Sequence, residues 1–425
     1  MLSMLNHVLG ILFVLLFFYQ LIFLFVPFFK KPKSHKTAQL HRYGILIAAR
    51  NEETVIRNLI ESIQKQTYPS QWLDIFVVAD NCTDRTAQIA RSTGAIVWER
   101  FNKEQVGKGY ALKFLLEKIQ ERYDGKNPYD GFFVFDADNR LHPCYIEEMN
   151  KSFSDGYKMI TSYRNSTNYD GNWISSGYAI NFLRESQFVN RSRMLLGTSC
   201  AVSGTGFLFS SDLLQEVGGW NFFLLTEDIQ FSVETITRGY QIGYNPNAIF
   251  YDEQPVTLST SWHQRKRWVK GNLQVFWRYK KQLFTGLWKN RIFACFDMMN
   301  VTFLTTALAI AGTVLQSVQL ATGMLQGTPL PLILSQFMNC VLTSYGTLAA
   351  VALLTVISEW KQIQCPPWKK CLSVMTFPIY MATYLPITLA AVFTRTTWKP
   401  VPHGTARPQK KNVPVKKTWI PGINL

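Results

Sequence analysis

Several short clusters of acidic, basic and aromatic residues could do chemistry in this chain, and the clearest is Phe132-Phe133-Val134-Phe135-Asp136-Ala137-Asp138-Asn139. Two carboxylates separated by one residue, at the end of an apolar run, can converge on one hard cation. A diphosphate needs such a cation, because Mg2+ or Mn2+ bridges its oxygens and neutralises the charge of a leaving group. A lone Asp-x-Asp is as readily a surface turn. The segment Val77-Val78-Ala79-Asp80-Asn81-Cys82-Thr83-Asp84 repeats the logic. Its apolar run ends in an acid able to accept hydrogen bonds from a base or ribose, and a helix starting at Thr83 or Asp84 offers backbone N–H groups. Asp84 reads more simply as the cap of that helix.

Gly107-Lys108-Gly109 opens a further helix with a lysine able to reach a phosphate oxygen, without the GxxxxGK spacing of a P-loop. Thr226-Glu227-Asp228 begins a helix over residues 228–238. Acids there either complement the helix dipole or supply, in Asp228, a general base that takes a proton from an acceptor hydroxyl. Gln264, Arg267 and Trp268 stand at i, i+3 and i+4 and share one helix face. Arg267 could hold a diphosphate by charge-assisted hydrogen bonds, and Trp268 offers a flat surface to a sugar ring. The competing reading is a basic amphipathic helix lying on lipid.

Positioning these groups falls to an alternation of strands (residues 43–49, 72–79, 95–99 and 131–135) with helices (residues 53–66, 84–92 and 107–122). Ile56, Leu59, Ile60 and Ile63 line one face of the first helix, and Leu112, Leu115 and Leu116 turn inward on the third. Such alternation predicts a doubly wound α/β sheet, whose ligands sit beyond the carboxyl ends of the strands. Asp80, Asp136 and Asp138 fall there.

The chain has 425 residues, 47% hydrophobic and 17% charged, but its apolar residues are unevenly spread. Residues 5–29 are long enough to cross about 30 Å of hydrocarbon, and the lysines that follow (Lys30, Lys31, Lys33, Lys36) make the segment an anchor rather than a signal peptide. They also place the next residues in the cytoplasm. Further spans are expected at 300–320 and 332–357. Residues 371–394 either cross or lie at the interface, because Pro378 and Pro386 break the helix. Residues 276–293, with Trp277, Tyr279 and Trp288 among lysines, read as an amphipathic surface helix. The organisation expected is a membrane helix at 1–30, a catalytic domain at 38–272, an interfacial segment at 273–299, a membrane region at 300–394 and a basic, Pro-rich tail at 395–425. The formal net charge of +16 lies largely beside the apolar segments, which favours membrane lipids over nucleic acid as the partner. Seven scattered cysteines without a CxxC indicate reduced thiols and neither a disulfide framework nor a zinc site.

Taken in order, Asp80, Asp136-Ala137-Asp138, Thr226-Glu227-Asp228 and Gln264…Arg267-Trp268 resemble the processive family 2 glycosyltransferases, the cellulose, chitin, poly-N-acetylglucosamine and hyaluronan synthases. The resemblance spans roughly residues 43–270 and implies a GT-A fold, a Rossmann-like and mostly parallel sheet in a cytoplasmic domain flanked by transmembrane and interfacial helices. It further implies an inverting, UDP-sugar-dependent hexosyltransferase using Mg2+ or Mn2+, in a multi-pass protein of the cell membrane. Its acceptor would be a growing β-linked polysaccharide or, alternatively, a membrane lipid that receives one sugar. By that resemblance Asp80, Lys108, Asp136, Gln264 and Arg267 bind the nucleotide sugar. Asp138, with Asp136, holds the metal; Asp228, beside Glu227, is the base; Trp268, Gly204 and Thr205 meet the acceptor. Two departures stand out. Ala79-Asp80-Asn81-Cys82 replaces the family's Asp-Asp-Gly-Ser stretch, leaving one of its paired acids, and the apolar segments are few for a secretion channel.

Overall fold

A computed structural model describes residues 2–397 apart from 290 and 327, so most of the tail expected at 395–425 lies outside the described residues. Eight strands form one sheet: β1 (Tyr43–Ala49), β2 (Leu73–Asp80), β3 (Ile96–Arg100), β4 (Gly131–Asp136), β5 (Arg140–Leu141), β6 (Met159–Ser166), β7 (Phe207–Ser210) and β8 (Ile242–Asp252). Their spatial order is β3-β2-β1-β4-β7-β6-β8-β5. The first four pair in parallel, as continuous apolar strands buried on both faces should. Beyond them β7 runs antiparallel to both β4 and β6, while β6 and β8 are parallel. The sheet is therefore mixed but mostly parallel, with four of its seven strand pairings parallel, as expected of a GT-A fold.

Strand residues alternate between two cores. Ile45, Ile47, Phe133 and Phe135 pack with Ile56, Leu59, Ile60 and Ile63 of the helix Ile56–Gln64. Leu46, Phe76, Val78, Phe132 and Val134 pack with Leu112, Leu115 and Ile119 of the helix Lys108–Arg122. Each such side chain contributes about 1.5–3 kcal/mol by leaving water. Because β1 lies between β2 and β4, strand order reverses at β1 and a crevice opens at the carboxyl ends. Register delivers the acids to its two sides: Ala48 pairs with Val78 of β2 and with Asp136 of β4.

Among the described residues, four helical segments could cross a membrane by length and composition: His7–Phe29, Ile292–Leu325, Leu330–Ser358 and Pro367–Phe393. The second starts well before residue 300. The interfacial segment expected at 273–299 begins within one 29-residue helix, Leu258–Gly286, that also carries Gln264, Arg267 and Trp268. The outer surface of this helix still presents Trp277, and Trp288 just beyond it is 90% exposed. Pro378 is carried inside the helix Pro367–Ala382, against the expected break there, and the chain bends at Thr383. Pro386 thereby falls in the first turn of Tyr384–Phe393, where its missing N–H costs no helical hydrogen bond.

Polar contacts fasten these segments to the sheet domain. Tyr19 Oη donates to Asp297 Oδ1 and Arg193 Nε to Asp297 Oδ2, both at 2.7 Å. Tyr163 of β6 donates to Glu359, and Tyr169 meets Ser373 at 2.6 Å. Arg265, fully buried, donates to the carbonyl of Tyr380 at 3.3 Å, close to the bend.

Candidate functional site

One cleft at the carboxyl ends of the strands is lined by Asp80, Lys108, Asp136, Asp138, Gly204, Glu227, Asp228, Gln264, Arg267 and Trp268. Residues separated by as many as 188 positions thus share one wall, and of the site residues expected from sequence only Thr205 is missing from it. Thr205 is buried; its hydroxyl accepts from the Asp136 backbone N–H at 2.8 Å and donates to Asn139. It shapes the acidic turn from behind, so direct acceptor contact by Thr205 is corrected to support of that turn.

Asp136 ends β4 and Asp138 lies in the turn that follows, both lining the cleft. Lys108 Nζ donates to Asp136 Oδ1 and, at 2.8 Å, to the carbonyl of Gly204. The lysine reaches this far because Gly109 lets its helix approach the chain closely: a Cβ there would lie 2.0 Å from the carbonyl oxygen of Phe222. Asp138 accepts from the Glu253 backbone N–H at 3.1 Å and from the Asn139 side-chain amide at 3.2 Å. Asp80 is more enclosed than expected of a nucleoside contact. Its Oδ1 accepts from Arg100 at 2.6 Å and from Asn81 at 3.1 Å, so the carboxylate is paired with a cation at the cleft edge.

The loop Ser203-Gly204-Thr205-Gly206 is the hub. Gly204 N–H donates to Asp228 Oδ2 at 2.5 Å while its carbonyl holds Lys108, so one residue fixes both the candidate base and the cation. Gly206 has φ +66°, and a Cβ on it would meet the Phe250 ring at 2.3 Å, so glycine is required. Burial pushes the carboxyls of Glu227 and Asp228 above their ordinary range, and for Glu227 the neighbouring Asp228 charge adds to it; the cations of Lys108 and Arg267 pull the other way. A carboxylate whose proton affinity is raised is a better proton acceptor near neutral pH. By contrast Asp84 is pushed up by burial but more than offset by hydrogen bonds from Thr86 and the Glu53 backbone, which hold it low; it serves the start of the helix Thr86–Ser92.

Arg267 donates to the Leu225 carbonyl at 2.8 Å, and Trp268 packs edge-on against Tyr178 and Phe182, which hold its plane. The Oε1 of Gln264 and the hydroxyl of Thr226 are buried without a hydrogen-bond partner among the described residues. A buried acceptor left so costs about 1–3 kcal/mol, a cost that a bound donor group removes. Sequence reasoning missed Arg50, Glu52, Arg164, Asp252, Glu253 and Gln254, which also line the cleft. Arg50 and Glu52 follow β1 as Asp80 ends β2, and the strand-end rule would have found them.

The acid pair suits a divalent ion. Mg2+ in nucleotide sites takes one or two carboxylates and completes its shell with waters and substrate phosphates. No group of three or more His, Cys, Asp or Glu with metal-binding geometry occurs among the described residues. Asp136 and Asp138 would therefore hold the ion together with a phosphorylated ligand.

The family described as "Glycosyltransferase like family 2" matches residues 41–271. Among curated proteins, the chain is 25% identical over 292 residues to the probable glycosyltransferase YdaM of Bacillus subtilis, covering 63% of each. It is 25% identical over 256 residues to beta-monoglucosyldiacylglycerol synthase of Synechocystis, covering 58% of this chain and 52% of that one. It is 28% identical over 247 residues to poly-beta-1,6-N-acetyl-D-glucosamine synthase of Staphylococcus epidermidis, covering 56% and 57%. The matches thus span about half to two thirds of the relatives' lengths. Among solved structures, the mannosyltransferase PcManGT of Pyrobaculum calidifontis, in complex with GDP-Man and Mn2+, superposes with a TM-score of 0.59 at 15% identity, over 92% of this chain and 99% of that one. That likeness is one of fold.

Proposed function

The chain belongs to the family 2 glycosyltransferases, and from that premise we propose that it transfers a sugar with inversion from a UDP-sugar to a growing β-linked polysaccharide at the cytoplasmic face of a membrane. The observation that carries this reading is the single cleft in which the Asp228 carboxylate, held by Gly204, faces the same space as Lys108, Arg267 and the acid pair.

Asp228 takes the proton of the acceptor hydroxyl, and the freed oxygen attacks the anomeric carbon on the face opposite the diphosphate. The bond from that carbon to the phosphate oxygen breaks in the same step, and UDP departs. Configuration inverts, so an α-linked donor yields a β-linked product. Arg267 and Lys108 stabilise the charge growing on the diphosphate, preorganised by the Leu225 and Gly204 carbonyls. Gln264 Oε1 accepts from a donor or acceptor hydroxyl, and Trp268 orients the acceptor ring. Asp136 and Asp138 would hold Mg2+ or Mn2+, which when bound would supply further positive charge to the leaving group. Asp80, with Arg100 behind it, meets the nucleoside.

A second reading, transfer of one sugar to a membrane lipid, is favoured by the likeness to a monoglucosyldiacylglycerol synthase. Membranes carrying the protein, incubated with radiolabelled UDP-glucose, UDP-N-acetylglucosamine and UDP-glucuronic acid, decide between them. Label in a high polymer with β-anomeric signals supports the first; label in organic-soluble lipid moves the reading to the second; UDP release from none of the donors removes both.

A further inference from the structure

Arg164 lines the cleft from β6, yet no step above employs it. Its guanidinium has three neighbours of different kinds. Nε donates to Asp252 Oδ2 at 2.8 Å, at the end of β8. Nη1 donates to the Ser203 carbonyl at 3.1 Å, in the loop that holds Asp228 and Lys108. The guanidinium plane lies 3.6 Å over the ring of Phe182, whose edge supports Trp268 at 6.1 Å. Asp252 is itself steadied by Gln254 Nε2 at 2.6 Å. One planar cation therefore touches both the loop behind the candidate base and the aromatic bed beneath the candidate sugar platform.

We propose that Arg164, locked by Asp252, is a positioning residue that sets the Asp228-bearing loop and Trp268 in register, so that an acceptor resting on Trp268 presents its hydroxyl to Asp228. The proposal rests on reading the cleft as a transferase site. Only a guanidinium meets all three neighbours. An ammonium on Arg164→Lys can pair with Asp252 or reach the Ser203 carbonyl, but lacks the planar face for Phe182 and the second donor direction. Misplacement of a reacting group by about 1 Å can cost on the order of a hundredfold in rate. The nucleotide contacts of Asp80 and Arg267 lie on other elements, and Lys108 is held independently by Asp136.

The test compares wild type, Arg164→Lys and Asp252→Asn in detergent micelles by UDP binding, melting temperature, and steady-state UDP release with the donor that the wild type turns over. The expected result for Arg164→Lys is a kcat lowered roughly tenfold or more, with the UDP Kd and donor KM within about twofold, and a raised share of transfer to water over transfer to acceptor. Asp252→Asn keeps an oxygen for Arg164 but not the charge, so the same pattern appears at smaller size; it carries the test should the lysine variant fail to accumulate. Unchanged kcat, or a loss that follows melting temperature alone or appears in donor KM, overturns the positioning role while leaving the transferase reading intact. A wild type that turns over no UDP-sugar removes the transferase reading instead, and this proposal with it.

Discussion

The cleft and the membrane junction are built from the same residue types and use them oppositely. At the junction Arg193 and Tyr19 close on both oxygens of Asp297, which is 1% exposed, and Glu359 is met by Tyr163. In the cleft Asp136, Asp138 and Asp228 are held by a lysine, backbone N–H groups and an amide, and all still face open space. The helix Leu258–Gly286 shows the contrast within three residues. Arg265 is buried against the Tyr380 carbonyl and tyrosine rings, while Arg267 lines the cleft. Charges enclosed by partners fasten; charges fixed by backbone with one side open recruit a ligand.

That comparison breaks first at the acid pair. EDTA, or Asp138→Asn, is expected to abolish UDP-sugar turnover, with Mn2+ or Mg2+ restoring the stripped wild type; undiminished activity in a metal-free preparation removes the acid pair from the site. Next in size is the junction. Arg193→Met leaves Asp297 buried without its cation, which costs about 3–5 kcal/mol, so the melting temperature falls while donor KM holds in the surviving protein. A changed KM at unchanged stability would reverse the two roles. The smallest effect is on pH. Burial raises the Asp228 carboxyl above the ordinary carboxylate range, so the base is protonated and idle below that raised pKa. The kcat profile should rise with pH through that raised value and lose about tenfold per unit beneath it. An acid limb near pH 4 contradicts the assignment.

Legibility in the sequence divides along the same line. β1 to β4 were readable because each carries an apolar run, and the acids because β2 and β4 stop abruptly at a carboxylate, as at Phe135-Asp136. β6 was not: Met159–Ser166 is buried along both faces, with Thr161, Ser162 and Asn165 among its enclosed residues, so it shows neither alternation nor an apolar run. β8 carries Pro246 and pairs irregularly, with a register shift opposite Ser162 and Tyr163, which hid Asp252 and Gln254 although Phe250-Tyr251-Asp252 repeats the strand-end signature. Arg164 gave no signal, since its neighbours are distant in the chain, and Thr205 was marked only by the family resemblance. Of the two helix breaks expected at Pro378 and Pro386, only the one ahead of Pro386 occurs, because a proline's effect depends on its position within the helix turn.

The central claim is that Asp228 acts as a base on a bound acceptor and does not hold the donor. Side-by-side calorimetric UDP binding and UDP-sugar turnover for wild type and Asp228→Asn test it directly. The account predicts a UDP Kd within a few-fold of wild type and turnover lower by about a hundredfold or more; turnover near the wild-type rate, or loss of UDP binding in step with activity, contradicts it.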